Sequence, residues 1–154
     1  MGEALRKRLQ QSRFETPYQE ALLNLMVASA YLRDMGQSMF EPHGITLTQF
    51  NVLRILRGAH PQGYARCEIA QRMIDRAPDL TRLIDRLVRI GLAERVGSRV
   101  DRRQSITRIT RRGLELLERI KPAMAQLNRS MAERLSREDA EELSRLCEAL
   151  YAES

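Results

Sequence analysis

The segment PDLTRLIDRLVRIG, residues 78–91, has the most regular pattern in the chain and therefore constrains the fold most. Its apolar residues recur every three or four positions, as on one face of an α-helix; they are Leu80, Leu83, Ile84, Leu87 and Val88. The opposite face is charged and carries Arg82, Asp85, Arg86 and Arg89. We expect Pro78 in the first turn, Asp79 beside the positive end of the helix dipole and Gly91 at the end. The pattern predicts a helix that buries one face and leaves a basic face free.

The elements around this helix have a characteristic order. A short helix at about 66–73 and a turn at 74–77 precede it, and two strands follow at 92–96 and 105–110. An arginine-rich loop joins these strands. The order of short helix, turn, amphipathic helix and two-stranded ribbon is that of a winged helix-turn-helix.

Longer helices flank this unit. One runs from Pro17 to about Met39, and a second begins after Thr46 or Thr48, whose hydroxyls can cap it. After the ribbon, Thr110 can cap a long helix that we expect to reach Leu135 and to bend at Pro122. A last helix starts at 136–139 with a sequence resembling a capping box. With aromatics at only 5% and no Trp, such a core consists of Leu, Ile, Met and Ala. The fold class is mainly α with a small β-wing.

The positive charge lies in one segment of the chain. The net charge is +6, and residues 66–112 hold 13 arginines against 6 acids, a balance of +7, so that the rest has −1. Arginine's planar fork suits paired contacts to phosphate and guanine. A solubilising basic face is one explanation. An anionic partner, most commonly a nucleic acid, is the other, and we favour it.

In a winged helix-turn-helix, the free face of the second helix can enter a DNA major groove. The loop of the ribbon can reach the adjacent minor groove, whose negative potential favours arginine. Double-stranded DNA is therefore the expected partner.

Several segments resemble the MarR family of bacterial transcription regulators in order and spacing. They are GITLTQFNVLRIL, EIAQRM, LTRLIDRLVRIGLAER, DRRQSITRIT and RRGLELL, and the resemblance covers about residues 17–151. The DRR followed at short distance by I-T-x-x-G is its most specific part. The family's wing often has a proline before the acid, whereas this chain reads GSRVDRR.

The resemblance implies a homodimeric winged helix-turn-helix protein with a helical dimerisation region. Dimerisation helices would occupy residues 1–45 and 111–154, and the DNA-binding domain 46–110. The recognition helix would present Pro78, Asp79, Thr81, Arg82, Asp85 and Arg86. The wing would present Arg99, Arg102 and Arg103, with Arg103 at its tip. Asp101 resembles the family's wing acid, which pairs with a recognition-helix arginine, here Arg86 by position, with Arg82 as the second choice.

The implied function is a dimeric, sequence-specific transcriptional regulator, more often a repressor, that binds a pseudo-palindromic operator. The family also implies a small effector, often aromatic or phenolic, although the sequence identifies neither effector nor pocket. Two alternatives stay open: an architectural DNA-binding protein without an effector, and a helical protein whose basic face binds an acidic protein.

Other sites have little support in the sequence. His43, His60 and Cys67 match no compact metal-ligand spacing, and we expect neither a metal nor a catalytic site. We expect reduced thiols, a cytoplasmic location and no membrane span, because the apolar runs are short and the N-terminus is charged. Redox sensing by Cys67 or Cys147 stays open, although the family's hydroperoxide sensors carry their reactive cysteine in the first helix.

Overall fold

The computed structural model describes residues 2–75, 79–97 and 105–152. Within these ranges the chain forms helices joined to a small sheet. The helices are α1 (Glu3–Leu9), α2 (Pro17–Phe40), α3 (Leu47–Gly58), α4 (Arg66–Arg72), α5 (Leu80–Arg89), α6 (Arg111–Ala132) and α7 (Arg137–Tyr151). The strands are β1 (Tyr64–Ala65), β2 (Ala93–Gly97) and β3 (Ser105–Ile109). The predicted fold class, mainly α with a small β-wing, is confirmed.

The recognition helix α5 starts later than predicted. It begins at Leu80, and Asp79 is its N-cap residue, whose carboxylate accepts a hydrogen bond from the Arg82 N–H at 3.1 Å. A short polar side chain at this position satisfies an N–H that the first turn leaves without a partner. Asp79 therefore precedes the helix, and the expectation that it lies within the first turn was wrong. Pro78 itself lies outside the described residues.

The sheet has the order β1-β3-β2 and is antiparallel throughout. Ala93 pairs with Ile109 at the base of the wing, and Gly97 pairs with Ser105 at its far end. Strand β1 adds the pair Tyr64 and Thr107 on the other edge of β3. The sheet thus anchors the wing between the turn after α3 and the recognition helix.

The helix-turn-helix packs on one apolar core. The side chains of Leu53, Leu56, Ile69, Leu87 and Ile120 have no exposed surface. Burial of one such side chain is worth about 1.5–3 kcal/mol. Because Ile120 belongs to α6, this helix shares the core with the winged unit. The division of the chain after residues 45 and 110 stays a prediction.

The flanking helices differ from expectation in two details. Helix α1 was not predicted, and its Leu5 is buried. Helix α6 continues through Pro122 and ends at Ala132, so Leu135 lies in the turn before α7 instead of in α6. Thr46, Thr110 and Ser136 do cap α3, α6 and α7 as predicted.

Helices α2 and α7 expose an apolar groove of about 450 Å³. Its lining includes Tyr18, Leu22, Leu25, Leu143, Leu146 and Leu150. Each of these six side chains is at least 38% exposed. A contiguous apolar surface of this kind is typical of a protein–protein interface.

No helix among the described residues is both long and apolar enough to cross a membrane.

Candidate nucleic-acid interface

The recognition helix has one buried and one exposed face. Leu80, Ile84 and Leu87 are buried in the core, whereas Thr81, Arg82 and Arg86 are exposed. Helical periodicity separates these faces, because residues three and four apart lie on the same side. The predicted groove-facing residues at 81, 82 and 86 thus share the solvent side of α5. Whether they contact DNA stays a prediction.

The start of α5 carries an ion pair. The Arg82 Nε lies 2.9 Å from the second carboxylate oxygen of Asp79, and the Arg82 side chain is 88% exposed. A pair exposed to this degree contributes little to stability. Asp79 therefore acts chiefly as the helix cap, and the guanidinium of Arg82 stays accessible to a partner.

A second ion pair joins the recognition helix to the wing. Arg95 Nη2 in β2 lies 2.7 Å from Asp85 Oδ1 in α5, with both side chains a little over two-fifths exposed. The sequence prediction placed Asp85 among the groove-facing residues and did not single out Arg95. The structure shows that Asp85 holds a wing arginine. The sequence signal for this pair was Gly91, which reverses the chain so that β2 returns along α5.

The predicted wing tip lies outside the described residues. Arg99, Asp101, Arg102 and Arg103 all fall between Gly97, where β2 ends, and Ser105, where β3 begins. The proposed contact of Asp101 with Arg86 therefore stays a prediction, as does the role of Arg103. Only the base of the wing, formed by β2 and β3, is described.

A cleft of about 460 Å³ separates α4, α5 and the wing. Its lining includes the polar residues Arg66, Thr81, Arg95 and Ser105. Arginine and hydroxyl side chains are among the donors to phosphate oxygens in protein–DNA complexes. The lining of the cleft therefore includes donor types from which a nucleic-acid backbone can accept hydrogen bonds.

Neither cysteine forms a disulfide. Cys67 is exposed on α4 and lines the cleft, and Cys147 is half-buried on α7. Over residues 2–75, 79–97 and 105–152, no three His, Cys, Asp or Glu side chains come together as a metal site requires.

The chain is similar to known transcription regulators along most of its length. The sequence model of the MarR family matches residues 45–105. A curated relative, the homoprotocatechuate degradative operon repressor of Escherichia coli, is 26% identical over 133 residues, which cover 84% of this chain and 88% of the relative. The match extends well beyond the winged unit into the flanking helices.

Solved structures extend this similarity to the fold. A MarR transcription factor from Planctomyces limnophilus is 35% identical, with a TM-score of 0.68 over 89% of this chain and 99% of its own. A mutant MarR from E. coli in complex with operator DNA is 25% identical, with a TM-score of 0.74 over 85% of this chain and 94% of its own. From the residues of the interface and these likenesses together, we conclude that the chain belongs to the MarR family of transcription regulators.

Proposed function

We propose that this protein is a homodimeric transcriptional regulator, a repressor, that binds a pseudo-palindromic operator in double-stranded DNA. The observation that carries the proposal is the face of α5 opposite the core, where Arg82 and Arg86 are exposed beside the wing. An α-helix fits the major groove, and arginine can bind guanine through two hydrogen bonds. The repressor relative and the operator-bound MarR structure support the same function.

The groove between α2 and α7 supports the dimer. Leu22 is 58% exposed and Leu146 is 49% exposed, and a second copy would bury both. A twofold dimer presents two recognition helices, whose half-sites lie about one helical turn, roughly 10–10.5 base pairs, apart. The operator is therefore expected to be a pseudo-palindrome.

The test is selection of tight-binding duplexes from a random library, followed by footprinting of the selected sequence. We expect one enriched pseudo-palindrome and one discrete protected region. Broad protection without an enriched sequence would instead favour an architectural DNA-binding protein without an effector. Equal binding of acidic proteins and DNA would favour the helical interaction protein.

We further propose that a small aromatic effector binds between α3 and α6. A groove of about 350 Å³ lies there, within the usual size range of ligand sites. Phe50, Leu117 and Met124 form its apolar part, and Arg54, Arg57 and Lys121 add positive charge. The guanidinium of Arg54 lies 6.0 Å from the centre of the Phe50 ring. This combination favours an aromatic acid over a neutral phenol.

The effector proposal can be tested with benzoate and phenol as probes in a thermal-shift assay. We expect benzoate to raise the unfolding temperature more than phenol does. Arg54→Met should abolish this difference, whereas Arg119→Met, an exposed position on α6 outside the groove, should preserve it. Equal shifts for benzoate and phenol in the unmodified protein would refute the anionic preference.

The family and fold are those of transcription regulators, and we propose that the protein has no catalytic activity. We place it in the cytoplasm, where a bacterial operator lies.

A further inference from the structure

The recognition helix ends in a tightly bonded turn. The Leu92 N–H donates to the Leu87 carbonyl at 2.9 Å, and the Gly91 N–H donates to the Val88 carbonyl at 3.0 Å. Together with the positive φ of Gly91, 75°, these bonds form a Schellman motif. The direction in which the chain leaves α5 is therefore fixed at Leu92, the residue before β2.

Thr110, the N-cap residue of α6, is bonded to this turn. Its hydroxyl donates to the Gly91 carbonyl at 2.7 Å, and its N–H donates to the Leu92 carbonyl at 3.1 Å. The same hydroxyl accepts from the Gly113 N–H at 3.2 Å, which caps α6. One side chain thus joins the end of the recognition helix to the start of α6.

The two backbones approach closely at this point. A Cβ on Gly113 would lie 2.3 Å from the Leu92 oxygen and 2.6 Å from Ile109 Cγ1. Residue 113 is buried, so nothing larger than glycine fits. The first turn of α6 therefore rests directly on the turn that ends α5.

Helix α6 continues for 22 residues from this junction. It crosses the core of the winged unit at Leu117 and Ile120 and then extends past it. Its later turns lead into α7, which supplies one side of the exposed apolar groove. In a dimer built on that groove, the angle between α5 and α6 determines the distance between the two recognition helices.

We propose that Thr110 is a positioning residue. Its hydroxyl ties the end of the recognition helix to α6 and so sets the spacing between half-sites that the dimer accepts. The proposal rests on the proposed DNA-binding function. It assigns to Thr110 a role beyond capping, because its hydroxyl both donates to Gly91 and accepts from Gly113.

Three substitutions separate these two bonds. Thr110→Ser keeps the donor and the acceptor. Thr110→Asp keeps a good helix cap but, as a carboxylate, cannot donate to the Gly91 carbonyl. Thr110→Val has nearly the same shape and loses both. Thr46→Val is the matched control, because Thr46 caps α3 through a hydroxyl 3.1 Å from the Gln49 N–H and lies outside the junction.

The readout is affinity for the selected operator and for versions with one base pair inserted or removed between the half-sites. One base pair turns a half-site by about 35° and moves it by about 3.4 Å. We expect the parent protein and Thr110→Ser to lose roughly tenfold or more on the altered operators. Thr110→Val and Thr110→Asp should bind the parent operator about three- to tenfold more weakly, the equivalent of one hydrogen bond. On the operators with altered spacing, the affinity of these two variants should fall less than about threefold below their affinity for the parent operator.

The outcomes are distinguishable. If the parent protein selects no operator, the proposed DNA-binding function fails. If it does select one and Thr110→Asp keeps the parent's spacing preference, the positioning role of Thr110 is refuted while the function stands. A relaxed spacing preference in Thr46→Val would also refute the positioning role of Thr110, because the loss of any helix cap would then be enough to relax the preference. Should Thr110→Val fail to fold, the comparison of Thr110→Ser with Thr110→Asp decides alone.

Discussion

Gly113→Ala is expected to destabilise the protein, although alanine is the better helix former. The added Cβ would lie 2.3 Å from the Leu92 carbonyl oxygen. Close carbon–oxygen contacts in proteins lie at about 3.3–3.6 Å, so one backbone must move by about 1 Å. The Leu92 carbonyl already accepts from Thr110, and movement would therefore disturb the junction.

The expected change in the free energy of unfolding of Gly113→Ala is the sum of two opposing effects. Overpacking of a core costs about 1–3 kcal/mol. Replacing glycine by alanine gains at most about 1 kcal/mol in a helix interior and less in the first turn. We expect a net loss of about 1–2 kcal/mol in the free energy of unfolding.

Gly58→Ala provides the matched control. Gly58 is the last residue of α3, and a Cβ there has no neighbour within 4 Å. The same substitution should therefore be neutral or stabilise by up to about 1 kcal/mol. Urea unfolding followed by circular dichroism measures the free energy of unfolding of both variants. The protein concentration is kept fixed, since the stability of a dimer depends on it. A Gly113→Ala protein as stable as the parent would refute the close approach of α6 to Leu92.

Three further substitutions test other parts of the structure. Leu56→Ala removes a side chain with no exposed surface and should cost about 2–5 kcal/mol in urea unfolding; a loss below about 1 kcal/mol would contradict the core assignment. Leu146→Asp puts a charge in the α2–α7 groove and should give a 17.8 kDa monomer by light scattering where the parent gives a dimer; an unchanged dimer would place the interface elsewhere. Arg95→Gln should change stability by less than about 1 kcal/mol, because its partner is half exposed. Arg95→Gln should still weaken operator binding, because the carboxylate of Asp85 is then unpaired and repels the DNA phosphates. Adding Asp85→Asn to this variant should restore the affinity. If it does not, Arg95 itself contacts the DNA.

Periodicity predicted the long elements correctly, because an amphipathic helix repeats its apolar residues every three or four positions. The caps at Thr46, Thr110 and Ser136 were predictable for a similar reason, since they depend on residues three positions apart. Strand β1 has only two residues and exists because β3 lies beside it, so no local pattern marks it. Helix α1 is also short, and a single buried leucine is too little for a periodic signal.

Contacts between elements were harder to predict than the elements. The pair of Asp85 and Arg95 depends on how the turn at Gly91 directs β2 along α5. Thr110 was recognised as a cap, but its bond to the Gly91 carbonyl joins residues 19 apart and appears only in three dimensions. The start of α5 was misplaced because Asp79 suits both the first turn and the N-cap position.

We propose that the exposed face of α5 reads the DNA sequence. The most direct test compares Arg86→Gln with Arg137→Gln, a control at an exposed arginine on α7. Fluorescence anisotropy would measure binding of each to the selected operator and to a random duplex. We expect Arg86→Gln to lose about tenfold or more on the operator, as for an arginine that contacts a base, and much less on the random duplex. The control should match the parent on both, whereas equal operator affinity for the two variants would contradict the claim.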